Sequence, residues 1–496
     1  MKTLFLSVYM HTPHFETELE IISDLMEAGH DVKVVRCTGQ LDACELNENH
    51  LEHICVFCRS KFNRGMEKIG MPAGNIIVLP PMDLDYGVLP EMFDNAADLR
   101  AFTLDGVNLG LGVASSLITR INRDPNFDTR AHAETIRREL KTALYVYKAM
   151  SALVDLHKPD EVYVFNGRFC TYFPVLLICE QRGITYYTHD RGGRISNYLL
   201  RKNCLPHDII QATKEIIELW KKSPSSKEEE AASWYHDRRN GVEQSWIVFS
   251  KDQTKGLLPD SFDASKRNIV VFSSTLEETA VVPGWENRIF KDELEALRRT
   301  FDHFHGEKNI KFYLRMHPNM KGIPRAENFQ LSEVAMMERK YPNVEVIWPE
   351  SVIHSYALME KCEMVLTFGS TTGVEACFYG SPSILAGASF YESLDCAYVP
   401  GSPEELFRML GSKLPPKDKH GALMYAYWEI YKGLPYRKFK PSGLFGGEFL
   451  GERIRPGLPA KAYSFALQLA RVRSVGQLAA LMKVKSAKIR ATILGK

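Results

Sequence analysis

Two stretches of the chain combine the residue types that hold phosphate. One is Leu314-Arg315-Met316-His317-Pro318-Asn319, in which Arg315 and His317 follow the pleat of an apolar run, Ile310 to Met316, to its carboxyl end. Open α/β sheets bind their ligands at that end of a strand. The other is Phe368-Gly369-Ser370-Thr371-Thr372-Gly373-Val374-Glu375, where the apolar run Met364 to Phe368 passes through a Gly-Ser-Thr-Thr-Gly turn into a helix-compatible stretch. Backbone N–H groups and three hydroxyls then collect at the positive end of a helix dipole, which suits an anion. A third run, Asn268 to Phe272, ends in Ser273-Ser274-Thr275, with Glu277 and Glu278 opening the next helix. A hydroxyl-rich turn before a helix also serves as a plain N-cap. Three such strand ends in one region favour a nucleotide mono- or diphosphate. The expected phosphate ligands are Ser273, Ser274, Glu277, Arg315, His317, Gly369, Ser370, Thr371 and Thr372, with Glu375 placed for ribose hydroxyls.

Group transfer from a nucleotide donor also needs a base for the acceptor hydroxyl. The loop His11-Thr12-Pro13-His14-Phe15-Glu16-Thr17 follows the first strand and offers Glu16 first and His14 second, with Asp190 in reserve. Asn166 and Arg168 after one strand, and Arg191 after another, are expected to orient the acceptor. No catalytic metal is required, because a helix terminus, Arg315 and His317 can take up the leaving charge. Cys37, Cys44, Cys55 and Cys58 fall close together with one Cys-x2-Cys pair, which leaves a structural zinc and buried free thiols both open, an iron–sulfur cluster being the lesser metal alternative.

These residues need scaffolding, and the chain supplies an α/β rhythm. Thr3 to Val8 reads as a strand, Glu18 to Ala28 as a helix and Asp31 to Val35 as the next strand. Glu161 to Phe165, a helix from Pro174 to Gln181 and Ile184 to Thr188 repeat the pattern. At 496 residues the chain is too long for one core. The expected organisation is an N-terminal Rossmann-like acceptor domain (1–262), a C-terminal Rossmann-like nucleotide domain (263–412), a return segment (413–452) and a basic amphipathic tail (453–496). The polar stretch Ser223 to Glu230 reads as a surface excursion.

Hydrophobic content of 45% and charged content of 25% are those of a globular protein, and no run approaches a membrane span. The N-terminus breaks into His11, His14 and Glu16 too early for a signal peptide, so the cytoplasm is the expected place of work. From Arg453 to Lys496 there are ten Lys and Arg and no acidic residue, so a chain of net charge +1 carries about −9 on the remainder. Apolar positions between them would let a tail helix lie on an anionic membrane face or dock on the acidic body. Nothing resembles a nucleic-acid-binding motif.

The succession Asn166-Gly167-Arg168, His189-Asp190-Arg191-Gly192-Gly193, Ser273-Ser274, His317-Pro318-Asn319 and Gly369-Ser370-Thr371-Thr372-Gly373-Val374-Glu375 resembles bacterial capsule polysaccharide biosynthesis proteins over most of residues 1–445. The His-Pro and Ser/Thr turns are also similar to those of bacterial sialyltransferases, capsule Kdo transferases and teichoic-acid glycerophosphotransferases. The resemblance implies a GT-B fold and a glycosyltransferase that moves sugar from a nucleotide-activated, CMP- or CDP-leaning donor to a glycan or lipid-linked acceptor. His317 and Ser370 to Thr372 would lie at the donor phosphate. Polyol-phosphate transfer, sugar epimerisation and a non-catalytic nucleotide-sugar scaffold remain open on the same fold.

Overall fold

The computed structural model describes residues 1–121, 124–275 and 281–470. In the first unit, strands β1 (Lys2–Ser7), β2 (Asp31–Arg36) and β3 (Ile76–Val78) alternate with helices α1 (His14–Glu27) and α2 (Glu52–Lys68). The short helix α3 (Ala96–Ala101), a hairpin of β4 (Thr103–Leu104) and β5 (Val107–Asn108), α4 (Gly110–Arg120) and α5 (Ala133–His157) follow. They lead to β6 (Glu161–Phe165), α6 (Phe173–Arg182), β7 (Thr185–Arg191) and β8 (Asn197–Lys202). Helices α7 (Ile209–Lys222) and α8 (Lys227–Arg239) precede the second unit. That unit runs β9 (Arg267–Phe272), α9 (Glu293–His303), β10 (Ile310–Arg315), α10 (Phe329–Lys340), β11 (Val344–Ile347), α11 (Ser355–Lys361), β12 (Met364–Thr367), α12 (Thr372–Phe378), β13 (Ser383–Leu385) and α13 (Pro403–Gly411). The described residues close with α14 (His420–Tyr431), β14 (Leu434–Pro435), the hairpin β15 (Phe439–Pro441) and β16 (Gly447–Phe449), and α15 (Leu458–Ala470).

Both large sheets are doubly wound in the same order. The first reads β14-β8-β7-β6-β1-β2-β3 and the second β11-β10-β9-β12-β13. Strands β3-β2-β1-β6-β7 are mutually parallel, as are all five of the second sheet, so each unit has the 3-2-1-4-5 order of a Rossmann fold. Parallel strands covered on both faces must be apolar throughout, and β6, β9 and β12 are buried over almost their whole length. The chain is thus the α/β pair of Rossmann units that the alternating pattern predicted, in the GT-B-like form that the resemblance implied.

Register aligns the strand ends. Leu6 pairs with Val164, which pairs with Thr188; in the second sheet Arg315 and Thr367 both pair with Phe272. Residues just beyond these rows therefore share one edge of each sheet. Each edge has a topological switch point, between β1 and β6 and between β9 and β12, where open sheets bind ligands.

Helices α7 and α8, which precede residue 262, pack with residues beyond it. Ala212, Ile216, Trp220, Trp234 and Tyr235 of α7 and α8 share a core with Val374, Phe378 and Tyr425 of the second unit. The end of the presumed excursion is helix, with Glu228, Glu229 and Glu230 in the first turn of α8, where the dipole favours them. After α14 the chain returns: β14 pairs with β8, and Phe439 and Phe449 join the core of Phe5, Phe15 and Phe62. Helix α15 packs on α2, and residues 471–496, which hold most of the basic tail, lie outside the described residues. No described helix is long and apolar enough to cross a membrane.

Candidate functional site

At the first edge, Asn166 and Gly167 turn the chain sharply with φ of 53° and 93°. A side chain at 167 would collide with Leu176, Leu205 and Thr188, so glycine is required there. This turn aims the Asn166 amide at Asp190, and Nδ2 donates to Oδ2 at 2.6 Å. The Arg191 backbone N–H donates to Asp190 Oδ1 at 2.7 Å, and His14 Nδ1 lies 3.9 Å from the same oxygen. Burial pushes the Asp190 carboxyl up, but His14, His207, the Arg191 amide and Asn166 outweigh it and hold it below the usual carboxylate range. Burial drives His14 down to about 3 against the pull of Asp190, so the imidazole is neutral at pH 7. The charge of Asp190 then rests on its two hydrogen bonds. The His14 ring packs against Phe165, with centroids 4.3 Å apart.

Glu16, the first sequence candidate for the base, is differently engaged. Its Oε1 meets Lys61 Nζ at 2.8 Å and accepts from Thr12 Oγ1 at 3.0 Å. The side chains of Glu16, His14 and Asp190 are 3%, 10% and 22% exposed, so Asp190 is the most accessible of the three candidate bases. Arg168 turns away from the edge, donating to Ser115 Oγ at 3.0 Å and Thr119 Oγ1 at 3.2 Å on α4, so it braces the scaffold. Beneath the edge, Glu18 accepts from the Ser7 hydroxyl and faces His189 Nε2 at 3.4 Å. Burial raises the Glu18 carboxyl against both of those hydrogen bonds.

At the second edge, Ser274 and Gly369 face each other across the switch point. A Cβ built at Gly369 would lie 4.0 Å from Ser274 Oγ and 2.8 Å from the Ala388 carbonyl, and φ there is 138°. Only glycine suits that turn. Ser370 folds the turn on itself: its N–H donates to Thr367 Oγ1 at 3.0 Å, and its Oγ meets Thr372 N and Oγ1 at 3.3 and 2.9 Å. Ser273 Oγ accepts from Gln330 Nε2 at 3.1 Å, and Ser274 N donates to Glu293 Oε2 at 3.2 Å. Burial pushes Glu293 up to about 7. His317 Nδ1 accepts the Asn319 N–H at 3.1 Å, which places the neutral ring's proton on Nε2.

Two expected donor ligands are committed elsewhere. Arg315 is buried and donates to the Trp348 and Ser351 carbonyls, both at 3.1 Å, so it pins the loop after β11. Glu375 takes Arg238 Nε at 3.1 Å, Thr371 Oγ1 at 3.2 Å and the Tyr356 hydroxyl, leaving little for a ribose. Arg238 also donates to Thr371 at 3.2 Å, which ties α8 to the turn. Glu277 lies outside the described residues.

The four clustered cysteines are free thiols, and among the described residues no three His, Cys, Asp or Glu side chains converge as a metal centre requires. Cys55 Sγ accepts from Asn47 Nδ2 and Cys37 Sγ from the Gly39 N–H, both at 3.2 Å. Burial pushes Cys58 up to about 12 and raises Cys44 and Cys55.

Two cavities, of about 660 and about 430 Å³, open between the units. The larger, lined by Arg120, Asp124, His132 and Phe329, contains no residue of either switch point. The smaller, lined by Trp285 and Lys291 among others, reaches Glu293 and Gln330, which hold Ser273 and Ser274. It is the cavity that connects with the second edge.

No protein-family profile matches the chain, and no curated protein does. Among solved structures, Thermosulfurimonas dismutans KpsC, β-Kdo 2,7 transferase, is similar at 16% identity over 66% of this chain and 90% of that one, with a TM-score of 0.35. The β-Kdo 2,4 transferase of the same KpsC gives 12% identity over 53% and 78%, with a TM-score of 0.36. Methanocaldococcus jannaschii UDP-GlcNAc 2-epimerase gives 12% over 86% and 98%, at 0.27. Likeness at this level carries no functional argument, and the architecture rests on the two strand orders themselves.

Sequence reasoning missed Lys61, Glu293, Gln330 and Arg238. Of these, Glu293 carried a legible signal. It follows Asp292, which caps α9, and opens an amphipathic helix whose apolar face is buried.

Proposed function

We propose that the chain is a glycosyltransferase that moves a sugar from a nucleotide-activated donor to a glycan or lipid-linked acceptor in cell-surface polysaccharide synthesis. The observation that carries this reading is the pair of switch points at the carboxyl edges of two Rossmann sheets of like order. The second edge offers a donor site of Ser273, Ser274, His317 and the Gly369 to Thr372 turn, with hydroxyls and an imidazole N–H suited to a leaving phosphate. The first edge offers Asp190 and His14 to the acceptor. The Ser/Thr and His-Pro turns lean towards a cytidine donor by resemblance alone.

The deciding experiment is a calorimetric screen of CMP, CDP, UDP, GDP and their sugar conjugates against wild type and His317→Ala. One nucleotide should bind selectively, and His317→Ala should weaken it by about tenfold, the size of one charge-assisted hydrogen bond. Binding of no nucleotide would sink the reading. With the bound donor, release of free nucleotide only when acceptor is added marks a transferase, whereas interconversion of the sugar without acceptor marks an epimerase.

The basic tail suits an anionic membrane face, where each Lys or Arg contributes about 1 kcal/mol. Removing residues 471–496 should abolish co-sedimentation with vesicles containing phosphatidylserine while leaving nucleotide binding intact. Equal sedimentation of the truncated chain would exclude the tail as anchor.

A further inference from the structure

We infer that Trp246 and Phe445 form a sugar-stacking platform at the mouth of the first edge, built around Arg191, that receives the terminal sugar ring of the acceptor. This rests on the transferase reading and adds its acceptor subsite.

The two rings come from loops far apart in the chain, yet their centroids are 6.1 Å apart at 76°. Both stay open to solvent, Trp246 at 45% and Phe445 at 54% exposed. The Arg191 guanidinium sits against both, 5.2 Å from the Trp246 centroid and 5.1 Å from that of Phe445. His11 completes the group, edge-on to Phe445 at 5.7 Å. Each loop is held independently. The Ile195 N–H donates to the Gln244 carbonyl at 2.9 Å beside Trp246, and Ser442 N–H closes the turn under Phe445 on the Gly446 carbonyl at 2.9 Å.

Arg191 is the unusual member. Its backbone N–H binds Asp190, but among the described residues its guanidinium donates no hydrogen bond and makes no ion pair. Both rings lie within cation–π range of its charge, while its N–H groups remain available to a ligand. A cluster evolved only to pack would bury its rings and pair its cation. What fits the combination is a ligand with an apolar C–H face and a polar rim. A sugar ring has both: its C–H groups meet the electron-rich ring faces, and its hydroxyl oxygens accept from the guanidinium edge. Continuity with the chemistry runs through side chains: His11, which meets Phe445, lies 5.8 Å from Tyr9, and Tyr9 lies 5.8 Å from His14, which faces Asp190 at 3.9 Å.

The test uses saturation-transfer NMR with methyl β-glucopyranoside and methyl β-glucuronide on the intact protein, beside calorimetry with CMP and UDP. Wild type should transfer saturation to the ring C–H protons of at least one glycoside. Trp246→Ala and Phe445→Ala should each weaken that binding by about tenfold, as loss of one aromatic contact implies. Trp246→Phe should retain it, and nucleotide affinity should be unchanged in all three. If nucleotide binds but neither glycoside receives saturation, or if the alanine variants bind glycoside like wild type, the platform is overturned and the transferase reading stands. If no nucleotide binds, the reading on which the platform rests falls with it.

Discussion

Asp190→Asn is expected to lower turnover by about 10²- to 10⁴-fold while leaving nucleotide affinity within about twofold of wild type. The substitution keeps shape and removes charge. The one remaining oxygen can keep the 2.6 Å contact with Asn166 Nδ2, at the cost of the acceptor for the Arg191 N–H, so the turn at Asn166-Gly167 survives. Of the three acidic or imidazole groups read as candidate bases, Asp190 is the most exposed, whereas Glu16 is enclosed by Lys61 and Thr12. A carboxylate in this place can take the acceptor proton late in transfer or stabilise positive charge on the sugar ring. Both roles need the charge. The neighbours that hold Asp190 below the ordinary carboxylate range keep it ionised, so turnover should not lose this group anywhere above about pH 5. Steady-state kinetics with saturating donor decide the matter: unchanged turnover removes Asp190 from the reaction, and a parallel loss of nucleotide binding reassigns it to structure. Glu16→Gln serves as the comparison, and a larger effect there would restore the order expected from sequence.

How far the sequence reached can be seen in particular residues. Strands are the legible part, because a buried parallel strand must be an apolar run. Glu161–Phe165 falls where the pattern predicts it, and β9, β10 and β12 fall within one residue of it at each end. The meeting of Ser274 with Gly369 follows from the same source, since β9 and β12 are neighbours whose ends align. What the sequence does not carry is the direction of long polar side chains. Arg315 sits at the right strand end, yet its guanidinium goes to carbonyls beyond β11. Arg168 likewise goes into α4, and Glu375 is taken by Arg238, which lies on α8 far earlier in the chain. Each choice is set by a tertiary neighbour that no local spacing reveals. Helix α1 shows the same limit in another form. Its expected start was Glu18, but it begins at His14, and every position from His14 to Ser23 is buried, Glu16, Glu18 and Glu20 included.

Glu20 carries the second large effect. Glu20→Ala is expected to cost about 3–5 kcal/mol, because it strips several backbone donors of the acceptor they share. Its carboxylate is fully buried and serves as a clamp for the returning chain. Oε1 accepts from Arg437 N at 2.7 Å and Lys438 N at 3.0 Å, and Oε2 accepts from Lys438 N at 3.0 Å and Phe439 N at 2.9 Å. Three consecutive backbone N–H groups therefore end on one side chain. Alanine leaves them without acceptors in a core that also holds Phe439 and Phe449, and each unsatisfied donor costs about 1–3 kcal/mol. Peripheral contacts soften the loss without replacing it, because Lys438 Nζ still reaches Ser23 at 2.7 Å and Asp24 at 2.9 Å. Thermal denaturation should show a clear fall in midpoint, and limited proteolysis should cut first between residues 436 and 449. That segment carries Phe445, so the variant should also lose glycoside binding while nucleotide binding at the second edge persists. A midpoint within about 1 °C of wild type and an unchanged cleavage pattern would show that the clamp is dispensable; ΔΔG of this size corresponds to a shift of several degrees even in a large domain. Loss of nucleotide and glycoside binding together would mean the two units unfold as one, and the return segment would then be the tie that makes them cooperative.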